Sequence, residues 1–599
     1  MRCFLPVLLC LSFSSFCFSQ GTWTPLKNQA PDSASGSGFQ LLSDGTVICH
    51  MLAGSADGFG TVWDRLMPDA HGSYVNGTWS RIAPMNDSRI YFASQMLMDG
   101  RVFVAGGEYG SGGYSAEVYD PVSNAWTRAP GNWRNLITPT ALFYDASSEI
   151  LPDGKIIIST LDTTRANNED NETVIYDPVA NVWSKPPACK GRTDETNWVK
   201  LRDSSILFVN LAEEYAERYI PALNEWILDA KTPAPLFDAL EEIGATVLLP
   251  DGRVLVVGAT SNTALYSPSG NTSPGSWVAG PTLPNGRGMD DAPAAMLVNG
   301  KVLFAAGTSD SYNSPITFFE FDYTTNLLTQ VSGPTGDSLT PFGAGGCYET
   351  LMIDLPDGNV LFSQSPISPY PTYPFLPYTT PAPQYYVYSP VGNPLSEGKP
   401  SIVNVWQTGC TYNVSGTLFN GISEGAAYGD DDQVATNFPI VRLALDSNVF
   451  YARSFNWNST CVQTGSFADT TQFTVPPGLA AGTYSLQVIA NGIASDPVSF
   501  DYKPCVSGIQ QAGSADALSM KVYPNPATDF VTLNFHSAMP GAYVLQVYDV
   551  LGSRVSEFQV NVRAGENSAE LNVGGLAQGI YLLRMESGSL LYSAKVIVR

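Results

Sequence analysis

Three side chains with chemical reactivity stand side by side in the segment "CYETLMIDLPDG", residues 347–358. Cys347 carries a thiol, Tyr348 a phenol and Glu349 a carboxylate, just before an apolar run and an Asp-Gly turn. This combination is compatible with a redox metal site, with a binding loop or with ordinary scaffold. The rest of the sequence is needed to choose, because the segment is one copy of a longer repeat.

An Asp-Gly-like turn followed by an apolar run recurs along the chain. Its copies begin at Asp44, Asp99, Asp153, Asp203, Asp251, Asn299 and Asp357, at intervals of 48 to 58 residues. Most copies are followed by a Tyr-x-Pro and then a Trp, as in "VYDPVSNAWT" and "IYDPVANVWS". A period near 50 is that of kelch propeller blades, each a four-stranded sheet. The pattern predicts an all-β fold with a seven-bladed kelch propeller over residues 21–395.

The seventh repeat lacks its Trp strand. Its turn at Asp357 and its "VYSP" around Tyr388 are present, but no Trp follows before the period stops. The segment "GTWTPL", residues 21–26, supplies a Trp strand that has no turn before it. We therefore expect the N-terminal strand to complete the last blade and to close the ring, which also removes an open sheet edge.

Carboxylates recur at one position of the repeat, eight residues before the turn. The residues at that position are Gly36, Tyr91, Asp145, Glu195, Ile243, Asp291 and Glu349, with Glu242 and Asp290 adjacent to two of them. Equivalent positions in propeller blades lie at one mouth of the central channel, so these side chains should converge. Neighbouring carboxylates repel one another unless something offsets their charge. The pattern predicts a binding mouth for Ca²⁺ or a cationic group; a solvated acidic loop is the alternative.

Other segments flank the repeats. Residues 1–20 contain one basic residue and then an apolar stretch, typical of a secretory signal peptide. Residues 396–503 show short alternating strands that fit an immunoglobulin-like sandwich. Residues 504–518 are a polar linker, and residues 519–599 form another small β-sandwich. We expect no transmembrane segment, since no other run reaches the roughly 18 apolar residues of a membrane helix.

Two family resemblances rest on specific motifs. Residues 21–502 resemble the galactose oxidase-like family, in which kelch blades precede an early-set immunoglobulin-like domain, through "GTLFNGISEGAAYGDD" and "GTYSLQVIANGIASDP". The final segment resembles the type A C-terminal sorting domain of the type IX secretion system, through "VYPNPATDFVTLNF" and "LAQGIYLLRM". The second resemblance implies engagement of the secretion machinery and export from a Gram-negative cell. The product would be secreted or held on the outer cell surface.

The first resemblance makes a test of copper chemistry possible. Galactose oxidase-like enzymes hold copper with two Tyr and two His, one Tyr being cross-linked to a Cys. Tyr91 matches the cross-linked Tyr and Tyr348 the axial Tyr, but Gly38 stands at the cysteine position and Glu349 replaces a His. No ligand position holds any of the three histidines of the chain, His50, His71 and His536. Copper is therefore not expected, because it prefers imidazole nitrogen.

Two smaller features complete the set of candidates. A Pro-rich insert in the seventh repeat carries rings that could stack on sugars or pack over the propeller: Tyr370, Tyr373, Phe375 and Tyr378. A run of three acids, Asp430, Asp431 and Asp432, is a weaker candidate for Ca²⁺ than for an exposed turn.

Cys410 and Cys461 are the only cysteines between residues 399 and 502 and are predicted to pair. The state of the other cysteines after the signal, Cys49, Cys189, Cys347 and Cys505, is open.

Charge excludes some classes of partner. The formal net charge is −25 and the isoelectric point is near 4.4, which argues against nucleic acid and anionic membranes because both demand basic patches. The sequence predicts a secreted or surface-held binding protein for a glycan or a surface partner, with no cofactor other than a possible Ca²⁺. The alternative is a carbohydrate-active enzyme, either a copper-free hydrolase or lyase at the acidic mouth or a divergent oxidase.

Overall fold

The computed structural model divides into two compact units, residues 1–504 and 505–599. It describes residues 20–32, 36–162, 171–193, 195–211, 213–336, 346–364, 384–428, 434–504, 520–537, 540–549, 553–587 and 590–599. The protein is nearly all β, as the sequence predicts. Short 3-10 helices span Gly131–Leu136, Pro284–Gly286, Cys347–Glu349 and Ser396–Gly398. No helix within these ranges is long and apolar enough to cross a membrane.

The first unit contains a series of small antiparallel sheets built from strands that are neighbours in sequence. Strand β1 (Thr22–Pro25) is the exception and is described with the seventh sheet. The first sheet comprises β2 (Gly36–Leu41), β3 (Val47–Met51), β4 (Val62–Met67) and β5 (Thr78–Arg81). The second comprises β6 (Ala93–Met96), β7 (Val102–Ala105), β8 (Ala116–Asp120) and β9 (Ala125–Arg128). The third comprises β10 (Ser148–Ile150), β11 (Ile156–Ser159), β12 (Thr173–Asp177) and β13 (Val182–Ser184).

The next four sheets follow the same plan. The fourth comprises β14 (Val199–Lys200), β15 (Ile206–Val209), β16 (Tyr215–Ile220) and β17 (Glu225–Lys231). The fifth comprises β18 (Ile243–Leu248), β19 (Val254–Gly258), β20 (Thr263–Ser267) and β21 (Ser276–Ala279). The sixth comprises β22 (Arg287–Gly288), β23 (Pro293–Met296), β24 (Val302–Thr308), β25 (Thr317–Asp322) and β26 (Leu327–Val331). The seventh comprises β27 (Thr350–Asp354), β28 (Val360–Gln364) and β29 (Gln384–Ser389), and β1 pairs antiparallel with β29.

The Asp-Gly turns and apolar runs of the sequence become the first hairpin of each sheet. The glycine of the turn adopts the left-handed conformation that glycine tolerates best, with φ of 81° at Gly100 and 86° at Gly358. The apolar run that follows forms the second strand. In β11 all four residues are buried, as expected of a short continuous apolar run that is covered on both faces.

The Tyr and Trp of the repeat lie opposite each other on the two outer strands. Tyr119 is the cross-strand partner of Trp126, with ring centroids 5.1 Å apart. The indole Nε1 of Trp126 donates a hydrogen bond of 2.9 Å to the carbonyl of Ala83, in the chain that leaves the preceding sheet. Equivalent bonds run from Trp23 to Ser332, Trp79 to Asn28, Trp183 to Pro130 and Trp277 to Ala230. The repeated Trp therefore ties its own sheet to the one before it.

The innermost strands of the sheets face one another. Contacts join β2 to β27, β27 to β23, β23 to β18, β18 to β14, and β6 to β10. A strand from the following domain, β32 (Ala426–Tyr428), pairs antiparallel with β23 and also contacts β18 and β27. The space between the inner strands is therefore occupied by protein.

The domain that supplies β32 is formed by the rest of the first unit. Its other strands are β30 (Ser401–Thr408), β31 (Thr411–Thr417), β33 (Ile440–Leu445), β34 (Asn448–Phe455), β35 (Asp469–Thr474), β36 (Gly482–Ala490), β37 (Ile493–Ala494) and β38 (Val498–Tyr502). Apolar side chains of β31 and β35 share one core with those of β33, β36 and β38. Strand β34 pairs with β33 along its first part and with β35 at its end, which connects the two layers.

The predicted disulfide between Cys410 and Cys461 is wrong. Cys461 is a free thiol that accepts a hydrogen bond of 3.2 Å from Ser204 Oγ at a turn of the fourth sheet. Cys410 is disulfide-bonded, but not to Cys461. Sequence proximity within one domain misled the prediction, because the segment around Cys461 packs against the sheets of the preceding domain. Cys49, Cys189 and Cys347 are buried free thiols.

The second unit forms two antiparallel sheets. One comprises β39 (Lys521–Tyr523), β40 (Phe530–Ser537) and β43 (Gly565–Asn572), and the other β41 (Gly541–Tyr548), β42 (Arg554–Val562), β44 (Gly579–Ser587) and β45 (Leu590–Val598). Side chains from both sheets form one apolar core, including Val531, Leu571, Leu545 and Val596. This unit is a small β-sandwich.

Candidate functional site

The residues predicted to converge lie directly before the innermost strand of their sheet. Tyr91, Asp145, Glu195 and Asp291 precede β6, β10, β14 and β23, and Glu349 ends the 3-10 helix before β27. The first four have φ of 53°, 41°, 52° and 43°. This left-handed conformation is uncommon for residues other than glycine, and where it persists it often marks a functional site. The same backbone feature thus recurs at one end of four inner strands, here called the mouth.

Four carboxyl groups surround one phenol at the mouth. This mouth cluster consists of Asp238, Glu242, Asp290, Asp291 and Tyr312. The Tyr312 hydroxyl donates a hydrogen bond to Glu242 Oε1. Asp291 lies within hydrogen-bonding reach of Glu242, and Asp238 lies within reach of Asp290. The fifth and sixth sheets therefore bring together acids that are up to 53 positions apart in sequence, from Asp238 to Asp291.

Burial and crowding keep protons on this cluster. Burial, a hydrogen bond to Asp238 and the charges of Asp238 and Glu242 together raise the pKa of Asp290 to about 9. Burial also raises the pKa of Glu242, although hydrogen bonds from Tyr312 and Asp291 oppose the shift. The pKa of Tyr312 rises through burial first, and then through the charges of Glu242, Asp291 and Glu195. Asp290 therefore keeps its proton near neutral pH.

A second group faces the cluster from the second sheet. Burial and, across the mouth, the charge of Glu242 raise the pKa of Glu108 to about 7, while the Tyr109 hydroxyl opposes this shift. The ring of Tyr109 stacks on Phe59 at 5.4 Å and meets Tyr91 edge-on at 6.4 Å. Aromatic faces and a titratable carboxyl thus border the mouth on this side.

The segment "CYETLMIDLPDG" contributes both to the mouth and to the core. The Tyr348 ring packs edge-on against Tyr312 at 5.2 Å. Glu349 is 1% exposed, and burial raises its pKa to about 8, an effect that Tyr348 opposes. Neither Glu349 oxygen has a hydrogen bond of acceptable geometry in the described part of the chain. Cys347 is buried, and its Sγ donates to the carbonyl oxygen of Asp290 at 3.4 Å. The thiol is a packing residue beneath the acids.

The sequence-predicted site residues fall into three groups. Around Tyr312 the structure brings together Glu195, Glu242, Asp290, Asp291 and Tyr348. Tyr91 is linked to the mouth through Tyr109. Asp145 occupies the equivalent position in the third sheet, and Glu349 is buried next to Tyr348. The aromatic insert with Tyr370, Tyr373, Phe375 and Tyr378, and the run Asp430 to Asp432, lie outside the described residues.

Sequence reasoning missed Glu108, Asp238 and Tyr312. Glu108 follows β7, the second strand of its sheet, and Tyr312 follows β24, the corresponding strand of the sixth sheet. Because the second strand of a hairpin runs back to the end where the first began, residues after it also reach the mouth. A search for polar residues just after each apolar run would therefore have found Glu108 and Tyr312.

Below the mouth, buried charged side chains connect the sheets to the domain that follows them in sequence. Lys200 on β14 is 1% exposed, and its Nζ lies 3.0 Å from Glu149 Oε2 and 3.2 Å from Glu424 Oε1. Glu424 lies two residues before β32. Since this segment fills the space between the inner strands, a ligand of the mouth cluster would bind at the open end.

The donors at the mouth do not fit a copper-radical centre. They are carboxylates and phenols, a set that suits hard cations such as Ca²⁺ better than copper. His50 lies buried against the Ser37 hydroxyl, and burial lowers its pKa to about 3. Among the described residues, no three His, Cys, Asp or Glu side chains are placed so that they could hold a metal ion.

Known proteins match parts of the chain. Residues 96–132 match the kelch motif, and residues 521–599 match the secretion system C-terminal sorting domain. An F-box/kelch-repeat protein of Arabidopsis thaliana is 30% identical over 109 residues, which are 18% of this chain and 26% of the plant protein. The chain thus aligns with about a quarter of the length of that relative.

One solved structure is similar to part of the chain. A catalytically inactive virginiamycin B lyase from Staphylococcus aureus with quinupristin is 11% identical, and the match covers 62% of this chain and 99% of the lyase at a TM-score of 0.40. The two motif matches show that the chain contains kelch repeats of a β-propeller and a type IX sorting domain. The sorting domain implies secretion or display on the cell surface.

Proposed function

We propose that this protein is an exported binding module, in which a ring of seven kelch blades and an immunoglobulin-like domain present the mouth cluster to a glycan. The arrangement is that of the galactose oxidase-like family without its copper chemistry. The observation that carries the proposal is the mouth cluster itself: acids with raised pKa values stand around Tyr312 at the open end of a space filled from below. The sorting domain supports an extracellular ligand.

The chemistry of the mouth favours hydroxyl-rich ligands. Protonated carboxyls donate hydrogen bonds and ionised ones accept them, so a mixed set can satisfy the paired hydroxyls of a sugar ring. The faces of Tyr91, Tyr109 and Phe59 are apolar surfaces for the opposite side of the ring. The surplus of acids disfavours anionic sugars and favours neutral or amino sugars. A cell-surface glycoprotein carrying such a glycan would be bound in the same way.

A glycan array followed by calorimetry on the full chain tests the proposal. The double change Glu242→Gln and Asp291→Asn should weaken binding of a neutral or amino glycan at least about tenfold, since each lost charged hydrogen bond is worth about 1.5–3 kcal/mol. Asp251→Asn is the matched control, because Asp251 lies in the turn at the other end of the fifth sheet. An array without any neutral or amino glycan signal, or equal affinity of wild type and double variant, would reject the proposal.

A carbohydrate-active enzyme is the second candidate. It is favoured by Glu349 and Glu108, whose pKa values are raised to about 8 and about 7, because a carboxyl that keeps its proton near neutral pH can act as a general acid. In that case Glu108→Gln or Glu349→Gln would lose release of reducing ends from a bound glycan while keeping most of the affinity for it. Hydrogen peroxide production from galactose in the presence of Cu²⁺ would instead indicate a divergent oxidase.

Calcium is tested separately from the glycan. If Ca²⁺ binds the oxygen-rich mouth, it should raise the melting temperature of the wild type by mass action. The double variant of Glu242 and Asp291 should show no such rise. Equal responses of the two proteins would place any Ca²⁺ elsewhere.

A further inference from the structure

A cavity of about 450 Å³ lies at the end of the sheets opposite the mouth. It is bordered by the turn between β27 and β28 on one side and by β33, β34 and β36 of the following domain on the other. The polar side chains at its wall include His71, Asn359, Asp357, Arg442, Tyr451 and Gln487. Strand β27 separates this cavity from Glu349. Its volume is within the range of small-molecule sites, which are frequent between domains.

The turn carboxylates of the seven repeats provide an internal comparison for Asp357. The five other turns that begin with Asp all place a cation beside it, in the ion pairs of Asp44 with Arg65, Asp99 with Arg101, Asp153 with Lys155, Asp203 with Arg218 and Asp251 with Arg253. In three of them the cation stands two residues after the Asp. Asn359 occupies that place after Asp357. No Lys or Arg within the described ranges forms an ion pair with Asp357.

The environment of Asp357 is that of a group on a cavity wall. Its accessible area makes it an exposed residue, yet desolvation by the surrounding protein raises its pKa to about 6. The side chain borders the cavity. Asp357 also accepts the backbone N–H of Asn359 at 3.2 Å, which fixes the orientation of its carboxylate.

Arg442 is the corresponding group on the opposite wall. Its Nη1 donates a hydrogen bond of 2.5 Å to Gln487 Oε1, and no carboxylate of the described chain lies within ion-pair distance of it. Burial raises the pKa of the Tyr451 phenol; the charge of Asp357 adds to this effect and the charge of Arg442 opposes it. The phenol therefore lies near both charges, which are too far apart to pair with each other.

We propose that this cavity binds a small zwitterion, the size of an amino acid or a dipeptide, with its ammonium group at Asp357 and its carboxylate at Arg442. A simple anion would meet the charge of Asp357, and a simple cation would meet that of Arg442, whereas a zwitterion complements both. Arg442 can bind a carboxylate through two parallel N–H groups. Tyr451 and Ile489 offer an apolar wall for the carbon chain between the two charges.

The test uses calorimetric titration of the full chain with glycine, β-alanine, 4-aminobutyrate and diglycine, which differ in the separation of their charges. At least one should bind, and its N-acetylated or amidated analogue should bind at least about tenfold more weakly. Asp357→Asn and Arg442→Gln should each cause a similar loss. Asp251→Asn is the control, since it makes the same change in a turn that does not border the cavity.

Three results would overturn the proposal: no heat with any of the four compounds, unchanged affinity in both cavity variants, or binding of a neutral sugar in their place. Melting temperatures of the variants show whether a loss reflects misfolding, and the two variants remove opposite charges, so they need not share a folding defect. The outcome is independent of glycan binding at the mouth, because the double variant of Glu242 and Asp291 leaves this cavity intact.

Discussion

Lys200 of the fourth sheet and Glu424 of the following domain are joined through both backbone and side chain. The Lys200 N–H donates to Glu424 Oε2 at 2.8 Å, and Lys200 Nζ lies 3.2 Å from Glu424 Oε1. The same ammonium group lies 3.0 Å from Glu149 Oε2. One cation thus contacts two buried acids that come from different domains. The contact holds the segment before β32 between the inner strands and so determines that the space below the mouth is closed.

The first prediction concerns this network. Lys200→Met should lower the free energy of unfolding by about 3–5 kcal/mol, because it leaves the buried carboxylate of Glu424 without its cation. Glu149→Gln should cost about 1 kcal/mol or less, since Lys200 keeps Glu424 as its partner and the pKa of Glu149 is already raised well above its usual value by burial and by Glu424. Urea denaturation measures both. Equal losses for the two variants would contradict the assignment of Lys200 as the shared cation.

The second prediction concerns pH. The pKa of Asp290 is raised to about 9 in the folded protein, against about 3.9 in an unfolded chain. Between these values the folded state holds the proton more tightly, so the stability contributed by Asp290 falls as the pH rises. Wild type should lose up to about 1.4 kcal/mol per pH unit relative to Asp290→Asn between pH 5 and 8. The neighbouring acids share the proton, which makes this slope an upper limit.

Parallel pH profiles of chemical denaturation for wild type and Asp290→Asn provide the measurement. Asp251→Asn serves as the comparison, since that carboxylate is paired with Arg253 on the outside of the fifth sheet. A difference between wild type and Asp290→Asn that stays constant with pH would show that the folded state does not hold a proton at this site.

The third prediction concerns the outer turns of the sheets. Asn124 has φ of 50°, and its Oδ1 accepts hydrogen bonds of 3.0 Å from the Tyr119 hydroxyl and from the Ala83 N–H. Asn124→Ala should cost about 2 kcal/mol through the lost hydrogen bonds and the left-handed backbone. Asn124→Gly should cost about 1 kcal/mol less, because glycine tolerates that backbone. Thermal unfolding of the two variants measures both losses. If Asn124→Gly is less stable than Asn124→Ala, backbone conformation is not the main contribution to the loss of stability.

The fourth prediction concerns thiol reactivity. Under native, non-reducing conditions iodoacetamide should label Cys461, which is partly exposed, and should leave Cys49, Cys189 and Cys347 unmodified. Burial raises the pKa of the Cys49 thiol to about 12, so it supplies almost no thiolate at neutral pH. Peptide mass spectrometry reads the labelled sites, and denaturation before labelling should expose all four. Labelling of Cys347 before Cys461 would place the thiol of the opening segment on the surface.

The fifth prediction follows from the sorting domain at residues 521–599. Protein collected from the medium or from the cell surface should lack this segment, because the resemblance implies its removal during export. Intact-mass measurement gives the answer, with a protein from the periplasm as the unprocessed control. Extracellular protein that retains the second unit would contradict removal.

Several properties of this protein were determined by its sequence alone. The period near 50 and the alternation of turn, apolar run, Tyr-x-Pro and Trp were sufficient to predict repeated small sheets, because each of those signals is local. Tyr119 and Trp126 illustrate this, since a short hairpin fixes their pairing. The recurrence of acids at one offset predicted that Asp145, Glu195, Asp291 and Glu349 converge, because equivalent positions of repeated sheets come to the same end. The charges of Glu195 and Asp291 do act on Tyr312, whereas the repeat alone does not show which other side chains join them.

Tertiary structure decided what the repeat does not encode. Glu108 and Tyr312 lie just beyond apolar runs of the repeat, but the acids that they approach are decided by packing between different sheets. Glu424 enters from another domain, so no period predicts it. The wrong disulfide prediction for Cys461 has the same origin, because Cys461 contacts Ser204, which lies 257 positions away in sequence. The protonation of Asp290 also required the structure, since a pKa depends on burial and on neighbouring charges. Local pattern determines which strands form, whereas packing between distant segments determines the chemical environment of each side chain.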